Sequence, residues 1–190
     1  VKSKDEQKGE AIIQHTLRLI FTEGLAGLKM SSIAQSAGIA VGTLYLYFKN
    51  KEELLNHIFL QYKRESMFAL AQKIDCEQPF KVNFKQLWLN FLRFAVENPE
   101  QATLLEQLHR SPYLRPEVLA ETEILLDPIR QMLNEGKQQM LIKHIDNEIL
   151  LAFLSGSINQ IARRFVEKDR KLTPEQFEQA FTMAWDAVRA

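Results

Sequence analysis

MSSIAQSAGIAVGTLYLYFKNK, residues 30–51 of a 190-residue chain, carries two short helical patterns separated by a glycine-marked turn. Ile33, Ala34 and Ala37 fall at i, i+1 and i+4, an apolar stripe on a helix of about two turns. Gly38 comes next, where a helix C-terminus favours a residue that tolerates positive φ. Beyond Ile39 and Ala40, Leu44 and Phe48 stand four apart on one helical face, while Thr43, Tyr45 and Tyr47 point elsewhere. One face is core and the other is left to touch another surface. Gly42 costs a helix about 1 kcal/mol relative to Ala, so its use is close approach of the backbone to that surface. Asn50 is placed to cap a third helix, with Glu53 at the capping-box position and Leu54, Leu55, Ile58, Phe59 and Tyr62 continuing an apolar stripe. The layout is that of a helix-turn-helix reader of DNA, held between two longer helices.

With these residues in view, the N-terminal 60 or so positions resemble the DNA-binding domain of the TetR family of bacterial transcriptional repressors. The match is carried by Phe21, Gly24, Ile33, Ala34, Ala37, Gly38, Gly42, Thr43, Leu44, Tyr45, Phe48, Lys51 and Leu54. It covers about a third of the chain, and the residues beyond it resemble the family in helical layout alone. The resemblance implies that Ser31, Ser32, Gly42, Thr43, Tyr45 and Tyr47 face DNA and that Lys51 holds a phosphate. Hydroxyls and helix N-terminal amides suit phosphates, and base edges are read by groups protruding from the second helix. Departures from the family pattern are Lys29 in place of a Ser or Thr cap, Ala40 in place of a hydroxyl, and Val41 and Leu46 where basic or polar residues are common. Apolar side chains make no bidentate contact to guanine, whereas Ala40 and Val41 suit a thymine methyl, so Val41 joins the DNA-facing set and an A·T-richer operator is expected there.

Hydrophobic residues make up 46% of the chain and no long apolar run interrupts it. A soluble globular protein without a transmembrane span is expected. The absence of a secretory pattern and a single cysteine, Cys76, make the cytoplasm the expected compartment. The formal net charge is zero, yet residues 1–51 hold seven Lys/Arg, among them Lys2, against four acids, so the positive excess sits with the motif.

Helical periodicity continues throughout, giving an all-α chain of about nine helices. The expected division is a helix-turn-helix domain over 1–51, a connecting helix over about 51–73, and a helical effector-binding and dimerisation domain over 74–190, with Cys76–Pro79 as the break. A first helix carries Ile13, Leu17 and Ile20 and stops at Gly24. Phe84, Leu87, Trp88, Phe91, Leu92 and Ala95 form a dense apolar face ending near Pro99. A helix then runs from about Pro99 to Arg110, and another from Pro116 through Ile129 and Met132 fades at Gly136, with resumption as far as Lys143 left open. Asp146 caps a long apolar helix, and Thr173, Pro174 and Gln176 form a capping box for the last one.

In TetR-like proteins the last two helices pair with those of a second subunit, and the resemblance places Phe153, Gly156, Ser157, Phe177, Phe181 and Trp185 at such a homodimer interface. Two-fold symmetry suits a near-palindromic operator. The candidate effector cavity is lined by Trp88, Phe91, Leu108, His109, Tyr113, Phe153 and Asn159, although an aromatic stripe at helical spacing is also what plain core produces. Its Trp and Phe content suggests a hydrophobic or aromatic small molecule, whose binding shifts the body conformation and lowers operator affinity. The rival readings are a helical protein-interaction module and an all-α enzyme. Glu106 and His109 give half of a carboxylate-bridged metal pattern, but no second such pair exists among the four histidines, and no phosphate loop or paired-cysteine spacing is present. No cofactor or metal is expected.

Overall fold

Two glycines in the left-handed region end the first two helices where the sequence marks them. The structure is a computed structural model that describes residues 4–75 and 77–190; Lys2 and Cys76, which enter the charge balance and the redox setting, lie outside the described residues. Helix α1 (Lys4–Glu23) stops at Gly24, φ 79°, whose N–H donates to the Ile20 carbonyl. Helix α2 (Met30–Ser36) stops at Gly38, φ 66°. Gly38 N donates to Gln35 O and Ile39 N to Ala34 O, the paired bonds of a Schellman closure. Helices α3 (Val41–Tyr47) and α4 (Lys51–Leu70) come next. Asn50 Oδ1 caps α4 by accepting from Glu53 N at 2.8 Å, while the Glu53 carboxylate reaches back to Lys49 N at 2.9 Å, one residue before the usual capping-box partner.

The remaining helices are α5 (Phe80–Glu97), α6 (Pro99–His109), α7 (Pro116–Ile124), α8 (Asp127–Gln138), α9 (Asn147–Val166) and α10 (Pro174–Val188). Ten helices and no strand, beyond an isolated bridge between Ile142 and Arg189, are present among the described residues. The tenth arises because the segment from Pro116, expected as one helix, breaks at Leu125–Leu126 and restarts at Asp127–Pro128, with Pro in the first turn. Gly136 does not end that segment. It lies buried inside α8 under the Phe80 ring, where a Cβ would sit 2.4 Å from the ring's outer carbon. Helix α4 ends at Leu70, three residues before the expected Lys73, because buried Asn90 on α5 donates to the carbonyls of Leu70 and Gln72 at 3.0 and 2.7 Å.

By packing the chain forms two units, and they do not follow sequence order. The first, the reader unit, joins the described residues up to Lys63 with Glu100–Glu121. Its core is built from Ile12, Leu17 and Ile20 of α1, Ile33 and Ala34 of α2, Leu44 of α3, Leu54, Leu55 and Ile58 of α4, and Leu104 and Leu108 of α6. The second, the body unit, comprises Arg64–Pro99 and Thr122–Ala190. There α5 packs against α8, α9 and α10. An aromatic cluster of Phe80, Phe84, Trp88, Phe181 and Trp185 joins α5 to α10, with neighbouring ring centroids 5.7–6.5 Å apart. Arg130 of α8 is held by Glu123 at 2.5 Å and by Glu148 of α9 at 3.1 Å.

Candidate nucleic-acid interface

The outward surface of α3 is set by where its inward residues must go. Leu44 is fully buried and Phe48, just past the helix end, is 7% exposed, so both are spent on the reader core. The opposite arc leaves Val41, Gly42, Tyr45 and Leu46 exposed. Of the residues expected to face DNA on this helix, Val41, Gly42 and Tyr45 are thus open to solvent, and Thr43 lies half-buried at the edge. Leu46 is the outermost large side chain, 85% exposed against 48% for Tyr45. On α2, Ser31 is exposed and Ser32 half-buried. Neither short helix is capped by a side chain: Lys29 and Ala40 hold extended cap geometry and supply no such hydrogen bond. The sequence departures at these two positions therefore leave both helix starts without the stabilisation of about 1 kcal/mol that a Ser or Thr cap contributes.

Tyr47, expected to face DNA, is half-buried with its hydroxyl bound to α1. One helical turn separates it from Thr43 on the side that faces α1, and its hydroxyl donates to the Asp5 carboxylate there. That hydrogen bond, with some desolvation and the neighbouring negative charge, pushes the phenol above its ordinary pKa. Nearby, His15 Nδ1 and Ser36 Oγ lie 2.9 Å apart, tying α1 to the end of α2.

Lys51 also turns inward. Its Nζ donates to Tyr113 Oη at 3.2 Å and to the Leu25 carbonyl at 3.4 Å, and lies 4.7 Å from the centre of the Tyr113 ring. The segment bearing Tyr113 is fastened by buried Asn56, which donates to Tyr113 O at 2.7 Å and accepts from Arg115 N at 2.9 Å. An ion pair between Arg115 and Glu52, 2.7 Å, closes the network and pushes the guanidinium pKa up. Sequence reasoning named Lys51 as a phosphate ligand and Tyr113 as a pocket residue but did not foresee their contact. Lys29 and Lys49 are both exposed beside α2 and α3.

The expected effector residues are divided between the two units. Leu108 is fully buried in the reader core, His109 is exposed, and Tyr113 is engaged with Lys51. These three belong to the reader unit because α6 and the adjoining turn pack there. Phe153 is 47% exposed on α9, too open to line an interior cavity. Trp88, Phe91 and Asn159 remain on α5 and α9, which pack together. Trp88 is 3% exposed, and its Nε1 has no hydrogen-bond partner among the described residues. Of the expected interface residues, Phe181 is corrected: at 4% exposure it is spent on the intramolecular aromatic cluster. Trp185 is half-buried in the same cluster, under the Lys81 ammonium, and Phe177 is half-buried. Phe153 and Gly156 are exposed, while Ser157 is half-buried with its hydroxyl donating to the Leu154 carbonyl.

Glu106 pairs with Arg110 at 3.5 Å, and among the described residues no three His, Cys, Asp or Glu side chains gather as a metal site. No helix among those residues is long and apolar enough to cross a membrane.

Residues 12–58 match the model of bacterial regulatory proteins of the TetR family, and residues 79–189 match that of a tetracyclin repressor-like C-terminal domain. An uncharacterized HTH-type transcriptional regulator of Haemophilus influenzae is 31% identical over 182 residues, 95% of each chain. The fatty acid metabolism regulator protein of Bacillus subtilis is 28% identical over 84% of each chain. Among solved structures, a TetR family transcription regulator from Marinobacter aquaeolei superposes with a TM-score of 0.88 at 28% identity, covering 98% of this chain and 97% of that one. With the helix-turn-helix seated on its own core and matches over both parts of its length, the chain belongs to the TetR family of DNA-binding transcriptional regulators.

Proposed function

We propose that this regulator represses transcription as a homodimer on a near-palindromic operator and is released by a hydrophobic effector that enters the body unit. The observation that carries the dimer is the uncovered apolar face of α9: Ile149 is 62% and Phe153 47% exposed, and Ala152 and Gly156 complete the same i, i+3/i+4, i+7 stripe. Gly156 has nothing within 4 Å of where its Cβ would stand, so close helix approach from outside is open. On α10, Met183 adds an apolar side chain 76% exposed. Burying such a stripe against its own copy is the self-complementary arrangement that a two-fold operator needs. Occupying that operator excludes polymerase from an overlapping promoter, which is how binding becomes repression.

The effector reading is supported by Trp88. A buried N–H without an acceptor costs about 1–3 kcal/mol, which an incoming oxygen acceptor would remove. Aromatic and aliphatic surroundings on α5 and α9 favour a ligand that is otherwise apolar. Similarity to a fatty acid metabolism regulator makes acyl compounds with a carbonyl or carboxylate oxygen the first class to try. The test is sedimentation of the purified protein, then fluorescence anisotropy on duplexes tiling the DNA upstream of its gene, at two salt concentrations, with and without long-chain acyl compounds. A dimer that binds one duplex selectively and leaves it on acyl addition, with Trp88→Phe blind to the acyl compound, is expected. A monomer, or a DNA complex indifferent to every acyl compound, sinks the corresponding part.

A further inference from the structure

The recognition helix reads VGTLYLY and contains no Arg, Lys, Asn, Gln, Asp or Glu. It therefore carries no side chain able to make the two-point hydrogen bonds by which guanine or adenine is usually identified in the major groove. Successive residues of a helix turn through about 100°. With Leu44 and Phe48 directed inward, Leu46 falls directly opposite them, with Gly42 and then Tyr45 and Val41 on one side of it and Thr43 on the other. Nothing inside the protein asks for glycine there: a Cβ on Gly42 meets nothing within 4 Å, and its φ is not in the left-handed region. A lone exposed leucine is ordinary on a protein surface. Here, though, the exposed arc offers two aliphatic side chains, a glycine and the Tyr45 hydroxyl, on the helix that the family membership sets against DNA. The base edges of the major groove offer one apolar group, the C5-methyl of thymine.

We propose that α3 selects its operator through thymine C5-methyl groups, with Leu46 and Val41 contacting them on either side of Gly42, the point of closest approach. Leu46 is the specificity-determining residue, since it stands furthest from the protein and has no other surface to cover. The hydroxyls of Thr43 and Tyr45 then serve the phosphate backbone, which positions the helix without reading sequence. This inference rests on DNA binding by the reader and adds which chemical group it reads.

The full-length protein is used to select duplexes from a random library. In a selected site each thymine is then replaced singly by deoxyuridine, which removes the methyl and keeps base pairing, and affinity is read by anisotropy. Loss of one contacted methyl is expected to weaken binding about four-fold, and loss of the symmetry-related pair about fifteen-fold. Leu46→Ala should keep the parent's thermal midpoint, its side chain being 85% exposed, and become indifferent to deoxyuridine at a position where the parent is sensitive. Sites insensitive to deoxyuridine at every thymine, or a Leu46→Ala variant with the parent's full sensitivity, overturn the methyl reading alone. A library from which no duplex is enriched overturns it together with DNA recognition by this surface, and leaves the apolar arc to a protein partner.

Discussion

The ammonium of Lys51 rests 3.2 Å from the hydroxyl of Tyr113, a residue 62 positions further along the chain, with the ring of that tyrosine beneath it. A lysine at the first turn of α4 is thus divided between an internal seat and whatever lies outside. We expect it to leave that seat for a DNA phosphate, and the Tyr113 hydroxyl to oppose the move. Tyr113→Phe keeps the ring and removes one hydrogen bond, so operator affinity should rise about two- to five-fold. Lys51→Met should weaken binding to all duplexes alike and flatten the salt dependence by about one charge per subunit. Anisotropy across a salt series checks both; an affinity unmoved by either change would mean that Lys51 stays inward in the complex.

Asn56 supports that arrangement from below. Truncation to Ala strands the Tyr113 carbonyl and the Arg115 N–H, both partnered through its amide. A loss of about 2–3 kcal/mol in urea unfolding is expected, accompanied by faster amide exchange at Arg115. Stability within error of the parent would show that water replaces the amide without cost.

Gly42→Ala should separate stability from function. The added methyl meets open space within the protein and improves helix propensity by up to about 1 kcal/mol. The same methyl stands where the helix nears the groove floor, so affinity should fall by about ten-fold or more. A variant more stable and equally tight on DNA would remove Gly42 from the contact.

Gly136→Ala tests packing in the body unit. Its Cβ would sit 2.4–2.6 Å from two Phe80 carbons, an overlap that should cost about 1–3 kcal/mol. Phe80→Leu in the same chain should recover part of that loss, so the double variant is less destabilised than the sum of the singles. Additive losses in thermal unfolding would place the strain elsewhere.

At the reader surface, Asp5→Asn removes the negative charge to which Tyr47 is bound. Binding should strengthen about two-fold at low salt and the gain should vanish at high salt, as an exposed charge is screened. A gain independent of salt would point instead to freeing of the tyrosine.

Turns with strong local chemistry were readable directly. Gly24 and Gly38 end helices, and Asn50, Asp146 and Thr173 begin them, because each acts through its own backbone neighbourhood. What a helix face packs against was less readable. Phe181 lies on a stripe that periodicity marks as apolar, but only tertiary packing decides that it is spent on Phe84 and Trp88. The break between α7 and α8 was hidden because Leu125 and Leu126 continue the apolar pattern through it. Tyr47 and Lys51 were recognised by type and position, yet their direction depends on Asp5, Leu25 and Tyr113, partners that spacing along the chain does not reveal.

The return of Glu100–Glu121 to the N-terminal helices means that the reader is not encoded by one uninterrupted stretch. A fragment ending at Lys73 would contain every residue expected to face DNA and still lack Gln107, whose amide oxygen holds Leu25 N at 3.0 Å, and Leu104 and Leu108, both fully buried. Exchange of operator specificity between regulators by a single crossover would part these pieces. For this chain, a portable cassette consists of two separate segments moved together, which limits how freely recombination can reassign its target.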